Sequence, residues 1–374
     1  MKIIFVCAAG TVAGKERQNL EYLRFLRDSG HDVFCATSSF NDGAFSKLLS
    51  ENNIPSQRLR LGYVALSLRP ENIKMTLHQL IYVPSLWFKY RKLLRSFKPD
   101  VVVHCNFDHL LLLLPAFGRS MNVYHVHDVF PKSKGYRRIF KLINKHVTAF
   151  IGVSNYVCKS LLYYGLPPEK IKLVYNGIRP PKLIAKTTNA VCVIGIVGQI
   201  GPWKGHDVLI EALYSLLNFS WKLRIVGAGG EQYVHEFKEK ISKYGMSDRV
   251  EFAGRLSTLE DIYKGIDFVC VPSLVKESFG LAAAEPGFFE IPVIATDRGG
   301  LAEIVLDAQT GIIVPSNDPV ALASAISKML TDPELRLRYG RAAYDHVKKT
   351  FSINSTGSLM AETLHNLRLQ KPEN

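Results

Sequence analysis

The sequence predicts an α/β protein built from two doubly wound, Rossmann-like domains in tandem. Short β-branched apolar runs alternate with longer amphipathic segments, and this alternation occurs in two series along the chain. A repeated β-α-β order is typical of a parallel sheet covered by helices on both faces. The length of 374 residues is more than twice the ~150 residues of a single domain, which agrees with two domains. At 47% apolar and 21% charged residues, the composition excludes a disordered or fibrous chain.

The first series predicts an N-terminal domain over residues 1–180. Its opening strand ends in a small-residue turn from Ala8 to Gly14, and Gly30 follows the first helix as a stop signal. Strands are predicted at 2–7, 32–37, 100–105, 122–127 and 148–153. Helices are predicted at 15–29, 41–53, 71–98, 107–118 and 134–146.

The second series predicts a C-terminal domain over residues 191–350. The polar segment 181–190, which begins at the second of two consecutive prolines, is predicted to be the linker. Residues 351–374 are expected to form a C-terminal helix and tail that pack back on the N-terminal domain. Strands are predicted at 191–197, 221–226, 250–253, 267–271, 292–295 and 311–314. Helices are predicted at 205–218, 231–244, 257–264, 280–289, 301–306, 318–331, 333–350 and 355–369.

The loops that follow strands are the places to search for functional residues. Ligands of doubly wound sheets bind beyond the carboxyl ends of the strands. We therefore expect the two domains to face each other across a cleft, with residues of both domains lining it.

Positive charge is concentrated in the first half of the chain. Residues 1–185 hold 27 Lys and Arg against 11 Asp and Glu, whereas residues 186–374 hold 20 against 22. This asymmetry favours an anionic partner for the first half: nucleic acid, a phosphate-bearing substrate or an anionic membrane.

A predicted helix carries part of this charge together with aromatic residues. Residues 85–98 mix Trp87 and Phe88 with five Lys and Arg, and residues 132–145 hold a second basic cluster. Such a helix suits anionic lipid headgroups, and a solvated helix face is the alternative. Nucleic acid is disfavoured, because the sequence contains no nucleic-acid-binding motif.

Cysteine usage and hydropathy bear on the compartment. None of the six cysteines belongs to a CxxC pair, and we interpret them as reduced core residues. The opening strand is too short for a signal sequence, and no apolar run reaches the ~18 residues of a membrane span. We expect a cytoplasmic protein, and the basic helix allows a peripheral position on the inner membrane face.

Two glutamates eight residues apart mark the most informative loop. Glu277 follows a predicted strand, and Glu285 lies inside the helix that we expect to begin near Phe279. Backbone N–H groups at Phe279, Gly280 and Leu281 would then face a phosphate at the positive end of that helix. The alternative is that Glu277 caps the helix and Glu285 is a solvated helix residue.

A second loop carries a cation at a comparable position. Lys204 lies in the sequence from Val197 to Gly205, which also follows a strand and opens a helix. A lysine here is suited to neutralising a phosphate. The alternative is an ordinary surface lysine.

A third loop carries two histidines. His125 and His127 lie two apart on a strand and therefore point to the same face, with Asp128 following. The pattern is a weak metal signal, because no third ligand is near in sequence. Neutral imidazoles that donate and accept hydrogen bonds are favoured, and a satisfied structural histidine is the alternative for His125.

The sequence lacks the characteristic motifs of several enzyme classes. Neither Gly10 to Gly14 nor Gly227 to Gly230 has the spacing of GxGxxG, which argues against a Rossmann oxidoreductase. P-loop, GxSxG and HExxH motifs do not occur. An Asp-x-Asp motif is also absent from the sequence, which disfavours a metal-dependent nucleotide-sugar transferase.

Five motifs in order make the chain resemble the family 4 glycosyltransferases, retaining and metal-independent enzymes of the GT-B fold. The resemblance covers nearly the whole chain and is densest from about 147 to 350. The motifs are E-x7-E at Glu277–Glu285, V-S through N-G-I at Val153–Ile178, K-G at Lys204–Gly205, D-R-V-x-F-x-G at Asp248–Gly254, and T-G-x-x-V-P with its helix start at Thr310–Ala323.

The resemblance implies a role for each matching residue. Glu285 would hold the ribose hydroxyls, Glu277 the donor-sugar hydroxyls, and Lys204 the diphosphate leaving group. His127 would lie near the anomeric carbon, and the loop at Arg255 would contact the base. The implied catalytic residues are His127, Glu277 and Lys204; the donor-binding residues are Gly198, Gln199, Lys204, Gly227, Arg255, Glu277, Ser278, Phe279, Gly280, Leu281 and Glu285; and the acceptor side is Gly14, Lys15, His127 and Asp128.

The chain departs from the family pattern at two positions. Gln199 stands where an arginine is common, so one cation of the diphosphate site is missing. Ala13 replaces one glycine of the N-terminal loop, and Lys15 places a positive charge beside it.

The function that the resemblance implies is retaining transfer of a hexose or N-acetylhexosamine from a nucleotide-diphosphate sugar to a hydroxyl acceptor. The acceptor is expected to be a lipid-linked or surface-polysaccharide glycan. A UDP-sugar is favoured over a GDP-sugar, with no metal and no other cofactor required. The alternatives are a GT-B-fold nucleotide-sugar epimerase and a non-catalytic partner protein.

Overall fold

The chain divides into two compact units. The structure is a computed structural model that describes residues 1–7, 12–62, 70–182 and 190–370. The first unit comprises Met1–Arg179 and Ile353–Asn374, and the second comprises Pro180–Ser352. Residues 8–11 of the predicted opening turn and residues 183–189 of the predicted linker lie outside the described residues.

The first unit is built on a seven-stranded parallel sheet in the order β3-β2-β1-β4-β5-β6-β7. Apolar cores lie on two faces of this sheet: one contains Ile3 and Val103, and the other contains Ile4 and Val102. The strands are β1 (Lys2–Val6), β2 (Asp32–Ser38), β3 (Ser56–Leu59), β4 (Val101–His104), β5 (Met121–Val126), β6 (Ala149–Gly152) and β7 (Ile171–Leu173). The helices are α1 (Gly14–Asp28), α2 (Ala44–Glu51), α3 (Pro70–Phe97), α4 (Phe107–Leu113), α5 (Lys134–Ile143) and α6 (Asn155–Tyr163).

The second unit is built on a six-stranded parallel sheet in the order β10-β9-β8-β11-β12-β13. The strands are β8 (Cys192–Val197), β9 (Trp221–Val226), β10 (Val250–Gly254), β11 (Phe268–Val271), β12 (Val293–Thr296) and β13 (Gly311–Val314). The helices are α7 (His206–Tyr214), α8 (Glu231–Lys243), α9 (Leu259–Tyr263), α10 (Leu281–Ala284), α11 (Leu301–Ile304), α12 (Pro319–Thr331) and α13 (Pro333–Thr350). The predicted fold class, two parallel α/β sheets, is confirmed.

The last helix, α14 (Ile353–Leu369), belongs to the first unit. The Ile353 N–H donates to the Ile178 carbonyl at 2.8 Å. Met360 and Leu364 are fully buried in the core beside α1. A Cβ atom at Gly357 would lie 2.5 Å from the ring of Phe25, so only glycine allows this close packing.

Each sheet reverses its strand order once. The chain enters each sheet at an inner strand, runs outward, and returns to the other side of the entry strand. The reversal lies between β1 and β4 in the first unit and between β8 and β11 in the second. Ligands of such sheets bind beyond the strand ends at the reversal, so within each unit, taken by itself, the candidate ligand-binding residues are those near these strand ends.

Two strands and one helix of the first unit are not among the predicted elements. Strand β3 is an edge strand with three exposed residues, and β7 is a half-buried edge strand of three residues. Edge strands of this kind lack the apolar pattern on which strand prediction depends. Helix α6 was also missed.

Among the described residues, no helix combines the length and apolar character needed to cross a bilayer.

Candidate active site

A glycine brings two strand-end loops of the second unit together. Gly205 has a φ of 75°, and a Cβ atom there would lie 1.9 Å from the Pro272 carbonyl oxygen. The Leu274 N–H donates to the Trp203 carbonyl at 2.9 Å. The loop after β8 therefore lies directly against the loop after β11.

This approach places Lys204 on Glu277. The Lys204 Nζ donates to the Glu277 Oε1 at 2.6 Å, and the Ser273 Oγ donates to the same oxygen at 2.6 Å. The Lys204 and Glu277 side chains retain 26% and 16% of their exposure, and Ser273 is fully buried. A carboxylate that accepts both bonds on one oxygen keeps lone pairs on the other for a ligand.

The backbone of Glu277 is held by a third loop, the one after β12. The Gly300 N–H donates to the Glu277 carbonyl at 2.8 Å. A Cβ atom at Gly299 would lie 2.1 Å from that same carbonyl oxygen, and Gly299 has a φ of 68°. Glu277 is therefore fixed by backbone contacts, and its side chain is aimed by Ser273 and Lys204.

The helix expected at 280–289 is much shorter in the structure. Helix α10 is a single turn that begins at Leu281, after Gly280 with a φ of 113°. Glu285 opens a tighter 3₁₀ helix, Glu285–Phe289, instead of lying two turns inside an α-helix. Pro286, which lacks an N–H, follows directly and accounts for the change. An α-helix of one turn has only a small dipole. It therefore gives a phosphate at Phe279 and Leu281 only weak electrostatic stabilisation.

Glu285 is half-buried and held by a tyrosine that sequence reasoning did not identify. The Tyr263 Oη donates to the Glu285 Oε2 at 2.8 Å. Tyr263 is 1% exposed, and burial, with the carboxylate of Glu285 second, raises the pKa of its phenol well above the usual value. Glu285 is therefore an anchored carboxylate, not a solvated helix residue.

Three strand ends of the second unit meet through glycines. A Cβ atom at Gly227 would lie 1.7 Å from the Gly198 carbonyl oxygen, and both glycines have a positive φ, 150° and 141°. The Gly227 N–H donates to the Gly254 carbonyl at 2.8 Å. The predicted donor-site residues Gln199 and Arg255 lie next to these glycines with exposed side chains.

In the first unit, Lys15 pairs with Asp128. The Lys15 Nζ lies 3.1 Å from the Asp128 Oδ2, with the two side chains 22% and 44% exposed. Burial lowers the pKa of Lys15, but the neighbouring carboxylates, Asp128 first and Glu16 after it, raise it overall. Lys15 is the second residue of α1, directly after Gly14.

Burial, helped by the Asp128 charge, also raises the pKa of Asp108 to about 6, and sequence reasoning missed this residue.

His125 and His127 contact each other at the end of β5. The His127 Nε2 lies 3.1 Å from the His125 Nδ1, and one of the two nitrogens carries the shared proton. His125 is fully buried and His127 is 8% exposed. Burial, with the positive charge of Lys15, lowers the pKa of His125 to about 3. Burial, followed by His125 and Lys15, lowers the pKa of His127 well below 6.5, so both imidazoles are neutral at pH 7.

A third ligand atom lies beside the two histidines. Among the described residues, Cys105, His125 and His127 each offer one ligand atom, and these atoms lie within 4.8 Å of one another. No third ligand is near the histidines in sequence, but in space Cys105, which directly follows β4, lies beside them. The structure thus groups Lys204, Ser273 and Glu277 in the second unit, and Lys15 and Asp128 in the first.

Two family models together match most of the chain. Residues 12–181 match the model described as Glycosyltransferase Family 4, and residues 181–346 match the model described as Glycosyl transferases group 1.

Curated relatives match over one part of the chain. A D-inositol 3-phosphate glycosyltransferase of Corynebacterium glutamicum (strain R) is 34% identical over 177 residues, which are 45% of this chain and 42% of the relative. The lipopolysaccharide core biosynthesis mannosyltransferase LpcC of Rhizobium leguminosarum bv. viciae is 28% identical over 180 residues, 47% of this chain and 51% of the relative. The chain spans about half the length of these relatives.

Solved structures match over nearly the whole chain. The Anabaena protein Alr3699/HepE, crystallised with UDP and glucose, has a TM-score of 0.82 at 23% identity, covering 98% of this chain and 100% of that one. Sucrose-phosphate synthase from Thermosynechococcus elongatus has a TM-score of 0.82 at 19% identity, covering 99% and 100%. At these identities the likeness establishes a shared fold.

Proposed function

Since this chain belongs to the glycosyltransferases of the family 4 type with the GT-B fold, we propose that it transfers a hexose or N-acetylhexosamine from a nucleotide-diphosphate sugar to a hydroxyl acceptor. The observation that carries the proposal is the contact of Lys204 with Glu277. The Ser273 hydroxyl donates to the same carboxylate oxygen. It places a cation for a leaving diphosphate beside a carboxylate for a sugar.

The donor binds through three kinds of contact in this proposal. Lys204 has three N–H donors and uses one on Glu277, so the others can reach the diphosphate. The Glu277 Oε2 accepts from hydroxyls of the donor sugar. Glu285, held by Tyr263, accepts from the ribose hydroxyls.

The reaction proceeds with retention at the anomeric carbon. The bond from that carbon to the diphosphate oxygen breaks, and the acceptor oxygen forms its new bond on the same face. The acceptor proton passes to the departing diphosphate. Lys204 stabilises the charge that develops on the leaving group, so catalysis consists mainly of positioning and charge stabilisation. No metal ion is needed in this scheme, because Lys204 supplies the cation.

A UDP-sugar is the favoured donor, and the Anabaena structural neighbour, which was crystallised with UDP and glucose, supports this choice. The acceptor is a lipid-linked or surface-polysaccharide glycan. The name of the Rhizobium relative, a lipopolysaccharide core mannosyltransferase, supports an acceptor of this class.

A membrane-borne acceptor agrees with one face of α3. Leu77, Ile81 and Phe88 are 58%, 72% and 72% exposed, and they recur at helical spacing. The same face continues through the exposed residues Lys92 and Arg95. Apolar side chains followed by basic ones suit an anionic bilayer surface. We therefore place the enzyme peripherally on the inner membrane face.

Thermal shift with nucleotides and their sugar conjugates tests the donor site. A nucleotide that binds only the folded chain raises the unfolding midpoint by mass action. We expect a selective shift with UDP and a UDP-sugar, reduced in Glu285→Gln and in Tyr263→Phe. The control is Glu239→Gln, an exposed carboxylate of α8.

Three outcomes would contradict the proposal. A selective shift with GDP would replace the UDP donor. Conversion of the donor sugar without any acceptor would favour an epimerase. Absence of a shift with every nucleotide would favour a non-catalytic partner protein.

A further inference from the structure

We propose that Cys105, His125 and His127 form a binding site for a thiophilic divalent cation, for which Zn²⁺ is the probe, and that its occupancy inhibits sugar transfer. The site lies in the first unit at the carboxyl ends of β4 and β5. The metal-binding part of the proposal rests on the geometry alone. Its inhibitory part rests on the proposed function and on the position near the reacting carbon that the family resemblance implies for His127.

The register of the sheet creates this cluster. Strands β4 and β5 pair in parallel, with Val103 beside Val123 and His104 beside Tyr124. The next pair along the register is Cys105 beside His125. Since alternate residues of a strand share a face, His127 points to the same side as His125. Three ligand-bearing side chains therefore converge on one side of two adjacent strands.

The distances suit a tetrahedral ion. The His127 Nε2 and the His125 Nδ1 lie 3.1 Å apart. Two nitrogens on a tetrahedral zinc with ordinary bond lengths lie about 3.3 Å apart. All three ligand atoms lie within 4.8 Å of one another, so small side-chain movements bring them onto one ion. Thiolate and imidazole are the ligands that zinc prefers.

The polar groups of the cluster are incompletely satisfied without an ion. Among the described residues, the Cys105 Sγ has only the weak contact of the Cys7 thiol, at 3.4 Å, and its own long contact to the Val103 carbonyl, at 3.9 Å. A cation would take the lone pairs of two imidazoles that otherwise share one proton. On binding, the Cys105 thiol releases its proton to solvent and the sulfur forms the metal bond.

The three ligand residues differ slightly in burial. His127 is 8% exposed, whereas Cys105 and His125 are fully buried. Three protein ligands leave the fourth position of a tetrahedral ion for water or a substrate hydroxyl. Lys15, whose positive charge reaches both histidines, is ion-paired with Asp128 at 3.1 Å. An ion at this position occupies a lone pair of His127, which removes that imidazole from its role towards the acceptor.

Cobalt absorption tests the binding part directly on the full chain. Chelator-treated protein is titrated with Co²⁺, whose thiolate charge-transfer and tetrahedral bands report a sulfur ligand, and Zn²⁺ is then added as competitor. We expect one tetrahedral cobalt per chain, displaced by Zn²⁺. Cys105→Ala should abolish the thiolate band. His125→Gln should weaken binding at least tenfold, the lower bound for losing even an outer-shell partner.

Two cysteine variants serve as matched controls. Cys7→Ala removes the thiol next to Cys105, and Cys270→Ala removes a buried thiol of the second unit. Both should keep the band. Thermal melting of every variant shows that it is folded. Absence of a thiolate band in the wild type, or a band that survives Cys105→Ala, would overturn the site.

Activity tests the inhibitory part separately. Zn²⁺ should inhibit sugar transfer by the wild type, and a chelator should reverse the inhibition. Cys105→Ala should raise the inhibitory zinc concentration at least tenfold. Zinc binding without inhibition would overturn this part. If the chain transfers no sugar at all, the proposed function fails while the cobalt result still decides the metal site.

Discussion

The Lys204 ammonium donates to the Glu277 carboxylate at 2.6 Å and joins the loop after β8 to the loop after β11. These two loops follow the strands between which the second sheet reverses its order. The pair therefore lies where a doubly wound sheet binds its ligand. Neither residue is fully buried, so both side chains can exchange this contact for contacts with a donor.

Replacing Lys204 by methionine should lower kcat/KM for sugar transfer by about 10² to 10³, the cost of losing one group that stabilises transition-state charge. The free energy of unfolding should change by only about 1 kcal/mol, because the ion pair is partly solvated. Steady-state kinetics and thermal melting measure the two effects. The control is Lys243→Met at the exposed end of α8. Equal losses of activity in both variants would contradict the role of Lys204.

Gly205→Ala should destabilise the chain by about 2–5 kcal/mol. The positive φ of 75° accounts for about 1–2 kcal/mol, and the clash with the Pro272 carbonyl adds about 1–3 kcal/mol. Gly245→Ala is the matched control, because its φ is 66° and nothing lies within 4 Å of the added Cβ. It should cost only about 1–2 kcal/mol. Chemical denaturation compares the two, and equal losses would show that the Gly205–Pro272 approach is not tight in solution.

Acidification should destabilise the first unit. Burial lowers the pKa of His104 to about 4, although Asn122 opposes this through a hydrogen bond. Below about 6.5 the unfolded chain therefore binds more protons than the folded chain. The free energy of unfolding then falls as the pH drops from about 6.5 towards about 4.

His104→Gln should remove part of this fall, by up to about 2 kcal/mol between pH 6.5 and pH 5. Denaturation curves at several pH values measure it. Between pH 7.5 and pH 8.5, where the imidazole is neutral in both states, the variant and the wild type should show the same pH dependence. An unchanged acid slope in His104→Gln would contradict the effect of burial.

The face of α3 should bind anionic vesicles. Ile81→Glu and Phe88→Glu each place a negative charge on this face and should reduce co-sedimentation with vesicles that contain an anionic lipid. Val320→Glu is the matched control, since Val320 is 79% exposed in the second unit. Binding should weaken with salt. Equal binding to neutral and anionic vesicles would refute the membrane role.

Much of the second unit follows from its sequence, because apolar residues dominate its strands and glycines follow β8 and β9 directly. The spacing of Glu277 and Glu285 is enough to identify the loop after β11 as a candidate site. Tyr263 could not be found in this way, since it ends a short helix and reaches Glu285 only through tertiary packing. The length of α10 was also mispredicted, because Pro286 tightens the turn at Glu285.

The cluster at the end of β5 shows a different limit. Cys105 and His125 are separated along the chain and become neighbours through strand register, which a single sequence does not specify. The edge strands β3 and β7 were missed because backbone pairing, and not an apolar pattern, defines them.

The membership of α14 in the first unit bears on the order in which the chain folds during synthesis. The core of that unit includes Met360, Leu364 and Leu367, which leave the ribosome only after the whole of the second unit. The second unit is contiguous and can complete its core while the first still lacks a helix. The core of the first unit therefore stays incomplete, and the apolar surface beside α1 stays uncovered, until the last helix leaves the ribosome. A nascent chain stalled before Ile353 would display that surface to chaperones.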